Sequence, residues 1–263
     1  MTTNNTPKGE ERKVVLMGGA AIDGAPIAYV IVLAAVVAVL SFIPIPVSAV
    51  LGLGGTFPLS QAVYPLVGFL LGPWAGALAA GVGRVIGVFI APHTASAGLL
   101  STVVAVVTAW AGGILVQKKR AWLFIIMWIV FLLAFAAYVG GGLNADVNLS
   151  LALESTFINW TALVLWLLPT RRLARSWIAD ENPVKLGAGL ALGTWIVNTS
   201  SFLVANALFY NLLFRWPAVQ WQALIVIAPV EHLFRVAVGT VIGVGVILGV
   251  RAIGLVKPAK AGY

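Results

Sequence analysis

The sequence predicts an all-α, polytopic membrane helical bundle of about eight transmembrane helices, and three observations carry that prediction. First, 61% of the 263 residues are hydrophobic and 9% charged, with a mean hydropathy of +1.03, far from what a water-facing surface tolerates. Second, apolar runs of span length recur between glycine and proline breakers, and at roughly 20 residues per span the chain accommodates about seven to nine. Third, the basic residues fall in alternate loops. No soluble domain fits. The absence of cysteine excludes disulfides and thiolate metal sites, and two histidines argue against a His-rich one. No metal or cofactor is expected. The net charge of +8 reads as loop charge, not as a nucleic-acid surface.

Residues 1–25 are polar and mixed in charge and read as a cytoplasmic tail. The first span, 26–43, is too long for a signal-peptide core and so reads as uncleaved. It carries Ala28, Ala34, Ala35 and Ala38. Ala34 and Ala38 stack one turn apart, a smooth face that can pack internally or dock a partner helix. A glycine- and proline-rich loop then leads to spans 57–71 and 74–90, where Gly68, Gly72, Gly76 and Ala80 recur every four residues. Such a stripe lets backbones approach closely in lipid, where no hydrophobic effect drives helices together.

Spans at 95–116, 121–140 and 155–168 follow, the last two separated by a loop with Asn144, Asp146, Asn148 and Glu154 and no basic residue. Asn148 and Asn159 each begin a glycosylation sequon. Span 186–213 carries Gly189 and Gly193, and span 221–250 carries Gly239, Gly243, Gly245 and Gly249. A helix over all of 221–250 would measure about 45 Å, longer than the hydrocarbon is thick, so the chain should bend or begin near Pro229. Residues 26–255 thus form one transmembrane domain and 256–263 a cytoplasmic C-terminal tail.

With the N-terminus in the cytoplasm, Lys8, Arg12, Lys13, the basic run 118–120, Arg171, Arg172, Arg175, Lys185, Arg251, Lys257 and Lys260 all fall inside. Only Arg215 lies outside, and Arg84 and Arg235 remain within spans. Positively charged loops resist translocation, so this asymmetry supports an even span count and a multi-pass plasma-membrane protein with both termini cytoplasmic.

Unpartnered at mid-bilayer, Arg84, Glu231 and Arg235 would together cost roughly 8 to 10 kcal/mol. Glu231 and Arg235 stand one turn apart and can pair, and Arg84 could join them. The surplus positive charge reads either as an ion network between the third and eighth spans or as the seat of an anionic ligand. If the last helix starts near Pro229, Glu231 lies in its first turn. His232 points about 100° away from Glu231 and reads as a packing residue. Gln61, His93, Thr94, Ser96, Asn206, Tyr210, Asn211, Trp216, Gln220, Trp221 and Gln222 fall at the outer span ends, a polar pocket that the glycine/proline loop could cap. No catalytic constellation is present, so no enzymatic activity is expected.

The order of an alanine-rich first helix, an IPIP loop, a second helix ending Leu70-Leu71-Gly72-Pro73, and then WAGALAAGVGRVIG from Trp74 resembles the substrate-binding S component of energy-coupling factor (ECF) transporters. The last span, with Ala228-Pro229 before a long Val/Ile/Gly run, is similar to that family's final helix. The resemblance covers about 26–117 and 186–252. It implies a six-helix core that captures a vitamin or related micronutrient from outside. It also implies an alanine face, Ala34 and Ala38, that docks a transmembrane coupling subunit driven by ATPase subunits. Two features depart from the family: 121–170 reads as an inserted helical pair, and Arg84 stands where the family often carries an acid. Two other classes compete with this reading: a non-transporting structural subunit of a larger membrane complex that reuses the fold, and a self-contained small-solute transporter.

Overall fold

Hydrocarbon offers backbone N–H and C=O groups no partners, so a chain of this composition must satisfy them within helices. The computed structural model describes residues 20–45, 56–118 and 121–263. The glycine/proline loop at 46–55 and the tail before residue 20 lie outside the described residues. Ten α-helices run through the described residues: α1 (Ile27–Leu40), α2 (Tyr64–Leu71), α3 (Pro73–Ile90), α4 (Leu100–Val116), α5 (Ala121–Leu143), α6 (Leu149–Ser155), α7 (Phe157–Leu167), α8 (Thr170–Ile178), α9 (Pro183–Leu212) and α10 (Ala218–Ala252). Four of them, α3, α5, α9 and α10, are each long and apolar enough to cross a membrane, and α6 with α7 makes a fifth candidate, bent by 63°. Large apolar side chains such as Ile31, Phe89, Leu133, Val226 and Val241 stand exposed, as a lipid-facing surface requires. The chain is a multi-pass, all-α membrane bundle.

Three elements differ from the sequence expectation. The second span is not one helix but a 3₁₀ turn at Leu59–Ala62 followed by the eight-residue α2. The region at 155–168 is the bent pair, broken at Thr156, whose hydroxyl donates back to the Ala152 carbonyl at 2.7 Å. α10 does not begin near Pro229. Its N-cap is Pro217 and the helix continues through Pro229, because proline's fixed φ is helical and only the carbonyl one turn earlier, Ile225, loses its N–H partner. Glu231 is therefore mid-helix rather than in a first turn.

Small residues set the packing of α1 to α4. A methyl added at Gly68 would overlap the Ala109 carbonyl, one at Gly113 would overlap the backbone of Gly72 and Pro73, and one at Gly83 would overlap the Ala34 carbonyl. Gly72, at φ +86°, makes the turn that folds α3 back on α2. Ala34 and Ala38 are buried on the face of α1 that meets α3. The smooth face that the family resemblance assigns to a partner is thus packed inside the chain, since Gly83 leaves the room that admits it. α9 is the most buried of the long helices and α10 the least; α9 packs against α4, α5, α7, α8 and α10.

Both described chain ends meet. The Ala259 N–H donates to the Gly24 carbonyl at 3.2 Å and the Gly262 N–H to the Phe69 carbonyl at 2.8 Å, while Lys260 pairs with Asp23. At the same end Arg175 reaches the Gln117 carbonyl, and Arg251 donates to the Asp180 and Ile178 carbonyls at 2.8 and 3.2 Å. The opposite end holds a short antiparallel pairing of Pro44–Ile45 with Phe57–Pro58.

Candidate functional site

Glu231, His232 and Arg235 come together beside a cavity of about 350 Å³ between α9 and α10, bordered by Phe57, Ser96 and Ala97, the α6–α7 bend and the segment before α10. Its wall is mainly apolar: Phe202 and Phe209 from α9, Phe214 and Trp216, Leu224 and Ile227 from α10. Polar groups enter at a few points, chiefly Ser155, Asn159, Asn206, Glu231 and His232. Helical periodicity explains the set, because Phe202, Asn206 and Phe209 share one face of α9, and Leu224, Ile227, Ala228, Glu231 and His232 share one face of α10.

Glu231 and Arg235 form the expected pair. Arg235 Nη2 donates to Glu231 Oε2 at 3.1 Å, and the arginine is wholly buried. Its guanidinium lies 4.4 Å from the Phe202 ring centre and 5.8 Å from that of Phe57, so two aromatic faces share in holding the charge. The carboxylate faces the cavity and the arginine stands behind it. Glu231 Oε1, Arg235 Nε and Nη1, and His232 Nδ1 have no protein hydrogen-bond partner. Buried polar atoms in such a state cost free energy unless something else meets them. The His232 ring stands edge-on to Phe202, 4.8 Å away. The Asn159 Nδ2 donates to the Thr199 carbonyl at 2.6 Å, which fixes the asparagine against α9.

Of the residues expected from sequence, the cavity brings together Ser96, Asn206, Trp216, Gln220 and Glu231, with Arg235 directly behind. Arg84 is elsewhere. Its Nε donates to Ser101 Oγ at 2.8 Å and its Nη2 to the Thr94 carbonyl at 3.1 Å, so hydroxyl and carbonyl groups of the α3–α4 connection meet it in place of Glu231. Beside it Ser41, Ser60 and Tyr64 form a hydroxyl chain with contacts of 3.1 and 3.0 Å, and Thr94 Oγ1 donates to the Ser41 carbonyl at 2.8 Å. Arg84 therefore ties α1, α3 and α4 together, and the three-charge network reduces to one pair and one separately solvated arginine.

Gln61 is buried and its backbone carbonyl accepts from Asn198 Nδ2 at 3.4 Å. His93 is exposed and its ring Nε2 lies 3.0 Å from the Phe42 carbonyl. Tyr210 and Trp221 belong to an aromatic cluster: Trp221 stacks on Tyr138 with ring centres 4.6 Å apart, and Tyr210 meets it edge-on at 5.2 Å. Sequence reasoning gave His232 a packing role and Asn159 only a sequon, and did not single out Phe202. Ser155 and Asn159, four residues apart in an otherwise apolar run, were the available signal. Of the two sequons, Asn148 caps α6 by accepting from the Leu151 N–H at 2.8 Å, and Asn159 is buried. Among the described residues, no three His, Asp or Glu side chains converge closely enough to hold a metal ion. No protein-family profile, curated protein or solved structure matches the chain.

Proposed function

We propose that this chain is a membrane-embedded substrate-binding subunit of the ECF S-component type. It captures a vitamin-sized micronutrient from outside and is moved by a transmembrane coupling subunit with its ATPases, hydrolysing nothing itself. The observation that carries the reading is the cavity: about 350 Å³, at the low end of the roughly 300–1,000 Å³ typical of ligand pockets. It is mainly apolar, and unpartnered polar atoms of Glu231 and His232 lie at its wall. A purely structural subunit gains nothing from keeping such atoms unpaired beside an unfilled space.

The proposal includes eight passes through the plasma membrane, α1, α2 with its 3₁₀ turn, α3, α4, α5, the α6–α7 pair, α9 and α10, with both chain ends cytoplasmic. The meeting of the chain ends with the basic segments at one end of the bundle supports it. The cavity then opens toward the outside. Because the wall presents the carboxylate of Glu231 and keeps Arg235 behind it, the ligand is an apolar-bodied molecule whose polar head donates a hydrogen bond to Glu231 Oε1. An anionic group on it finds its counter-charge only through Arg235.

The test is native mass spectrometry of the protein purified in mild detergent, alongside Ala228→Trp, which fills the cavity from its α10 wall. A bound small molecule present in the wild type and lost from a folded Ala228→Trp variant is the expected result. Two species of identical mass composition would refute the proposal.

A further inference from the structure

We propose that the basic end of the bundle holds the phosphate headgroup of an anionic phospholipid, in a second cavity between the start of α5, the end of α7 and α8. This site is independent of the uptake reading. The cavity measures about 510 Å³ and its wall includes Lys118, Phe124, Trp166, Arg171, Arg172 and Arg175, with no carboxylate. Four cations around one space need an anion, and the described residues supply none there. Asp180, the next acid along the chain, is engaged by the Asn182 N–H at 2.9 Å and by Lys185 at 3.0 Å.

Helix geometry deepens the imbalance. Arg171 and Arg172 lie in the first turn of α8, which has no acidic residue. The macrodipole is positive at that end, so cations there are disfavoured and an anion is favoured. Arg171 is nonetheless held in place: its guanidinium lies 4.3 Å over the Phe124 ring. It shares a single protein acceptor, the Gln117 carbonyl, with Arg175 at 3.5 and 3.2 Å, and its Nε has no protein partner. Burial, then the neighbouring Arg175 and Arg172, push this guanidinium below its usual range. A phosphate accepting from several guanidinium N–H groups would answer each of these deficits.

The rest of the wall argues for a lipid over a free ion. The rest of the cavity wall is apolar, Ala121, Phe124, Trp166 and the exposed Leu167 and Leu168, and Trp122 and Ile125 stand exposed on the same helix, α5, that supplies Ala121 and Phe124. Acyl chains can lie along that surface while the headgroup stays among the cations, and basic pockets at helix ends bind headgroups in this way.

The experiment measures thermal stability and native mass spectra of the full chain in detergent with short-chain phosphatidylglycerol, short-chain phosphatidylcholine or inorganic phosphate. The wild type should retain and be stabilised by phosphatidylglycerol. The Arg172→Gln/Arg175→Gln variant should bind it about tenfold more weakly or worse, the scale of two basic residues at a lipid surface, and Arg172→Lys/Arg175→Lys should recover most of the loss. Should the double Gln variant fail to fold, Arg172→Gln alone, at an exposed position, takes its place with a smaller loss. Equal binding of phosphatidylcholine, stabilisation by phosphate alone that matches the lipid, or unchanged affinity in the Gln variant would each overturn the proposal.

Discussion

The bundle packs its two regions by opposite means. In α1 to α4 the helices touch through backbone: Gly68 against Ala109, Gly113 against Pro73, Gly83 against Ala34. Around α9 and the first half of α10, large side chains meet instead, Phe202 with His232, and Tyr138 with Trp221 and Tyr210. Backbone contact is dense because no side chain intervenes, and it leaves no room for a ligand. Rings that meet edge-on, as Phe202 with His232 and Tyr210 with Trp221, leave gaps, and polar groups can be lodged in them. In lipid both are workable, since association rests on contact and hydrogen bonding and not on expelling water. The difference says which part of the bundle is packed backbone to backbone and which part keeps a cavity.

The largest effect should come from the cavity region. Glu231→Ala leaves Arg235 buried without its partner, and breaking such a pair costs about 3–5 kcal/mol, read as lost folded yield. Replacing both, Glu231→Gln with Arg235→Met, should restore yield without restoring ligand binding. If the double variant binds ligand normally, the pair is scaffolding and the contrast between the regions is lost.

Next comes Gly113→Val, which forces a side chain into the α2–α3 turn and should cost about 1–3 kcal/mol or more. Gly245→Val faces open space and should stay within about 0.5 kcal/mol. Thermal melts in detergent compare them, and equal melts would mean that the glycines of the first region are not packing devices. Arg84→Met should lower the melting temperature while leaving ligand affinity unchanged, because its bonds run to Ser101 and Thr94 rather than to the cavity. A selective loss of binding would move Arg84 back into the site.

The smallest effects should fall on α9, the wall common to both regions. Asn182 caps it by accepting from the Val184 N–H at 2.9 Å, so Asn182→Ala should cost about 1 kcal/mol and weaken both regions alike. Beside it the Asn182 N–H, then Lys185, hold the Asp180 carboxyl below its ordinary 3.8. A lowered carboxyl pKa stabilises the fold above the unfolded value and ceases to do so as the pH falls through the folded one. Amide protection factors across 180–185 should therefore be steady from pH 7 to about 4 and fall only in stronger acid. A fall near pH 6 would point to a different group.

What the sequence made legible was whatever lipid imposes locally. Basic loops, glycine and proline breakers and the one-turn spacing of Glu231 and Arg235 are all readable without knowing what packs on what. Arg84 was not readable in this way, since its partners, Ser101 and Thr94, are a serine and a backbone carbonyl that no charge pattern marks. Ala34 and Ala38 looked equally ready for an internal or an external helix, and only the register of Gly83 against Ala34 decides. His232 was set aside because it points away from Glu231. The cavity is wide enough at that level to take both directions. The start of α10 was misjudged because proline was read as a boundary, although a single missing bond can be carried inside a well-packed helix.

That missing bond has a mechanical consequence. The unanswered Ile225 carbonyl lies within the turn that carries Leu224, Ile227 and Ala228, and Glu231 and His232 follow just past Pro229. Stiffness along α10 is therefore lowest where the cavity wall is built, and bending there breaks no hydrogen bond that is not already broken. The helix can flex as a hinge at that level, widening or narrowing the space while its two ends keep their neighbours, so the compliance of the cavity wall is written into one residue.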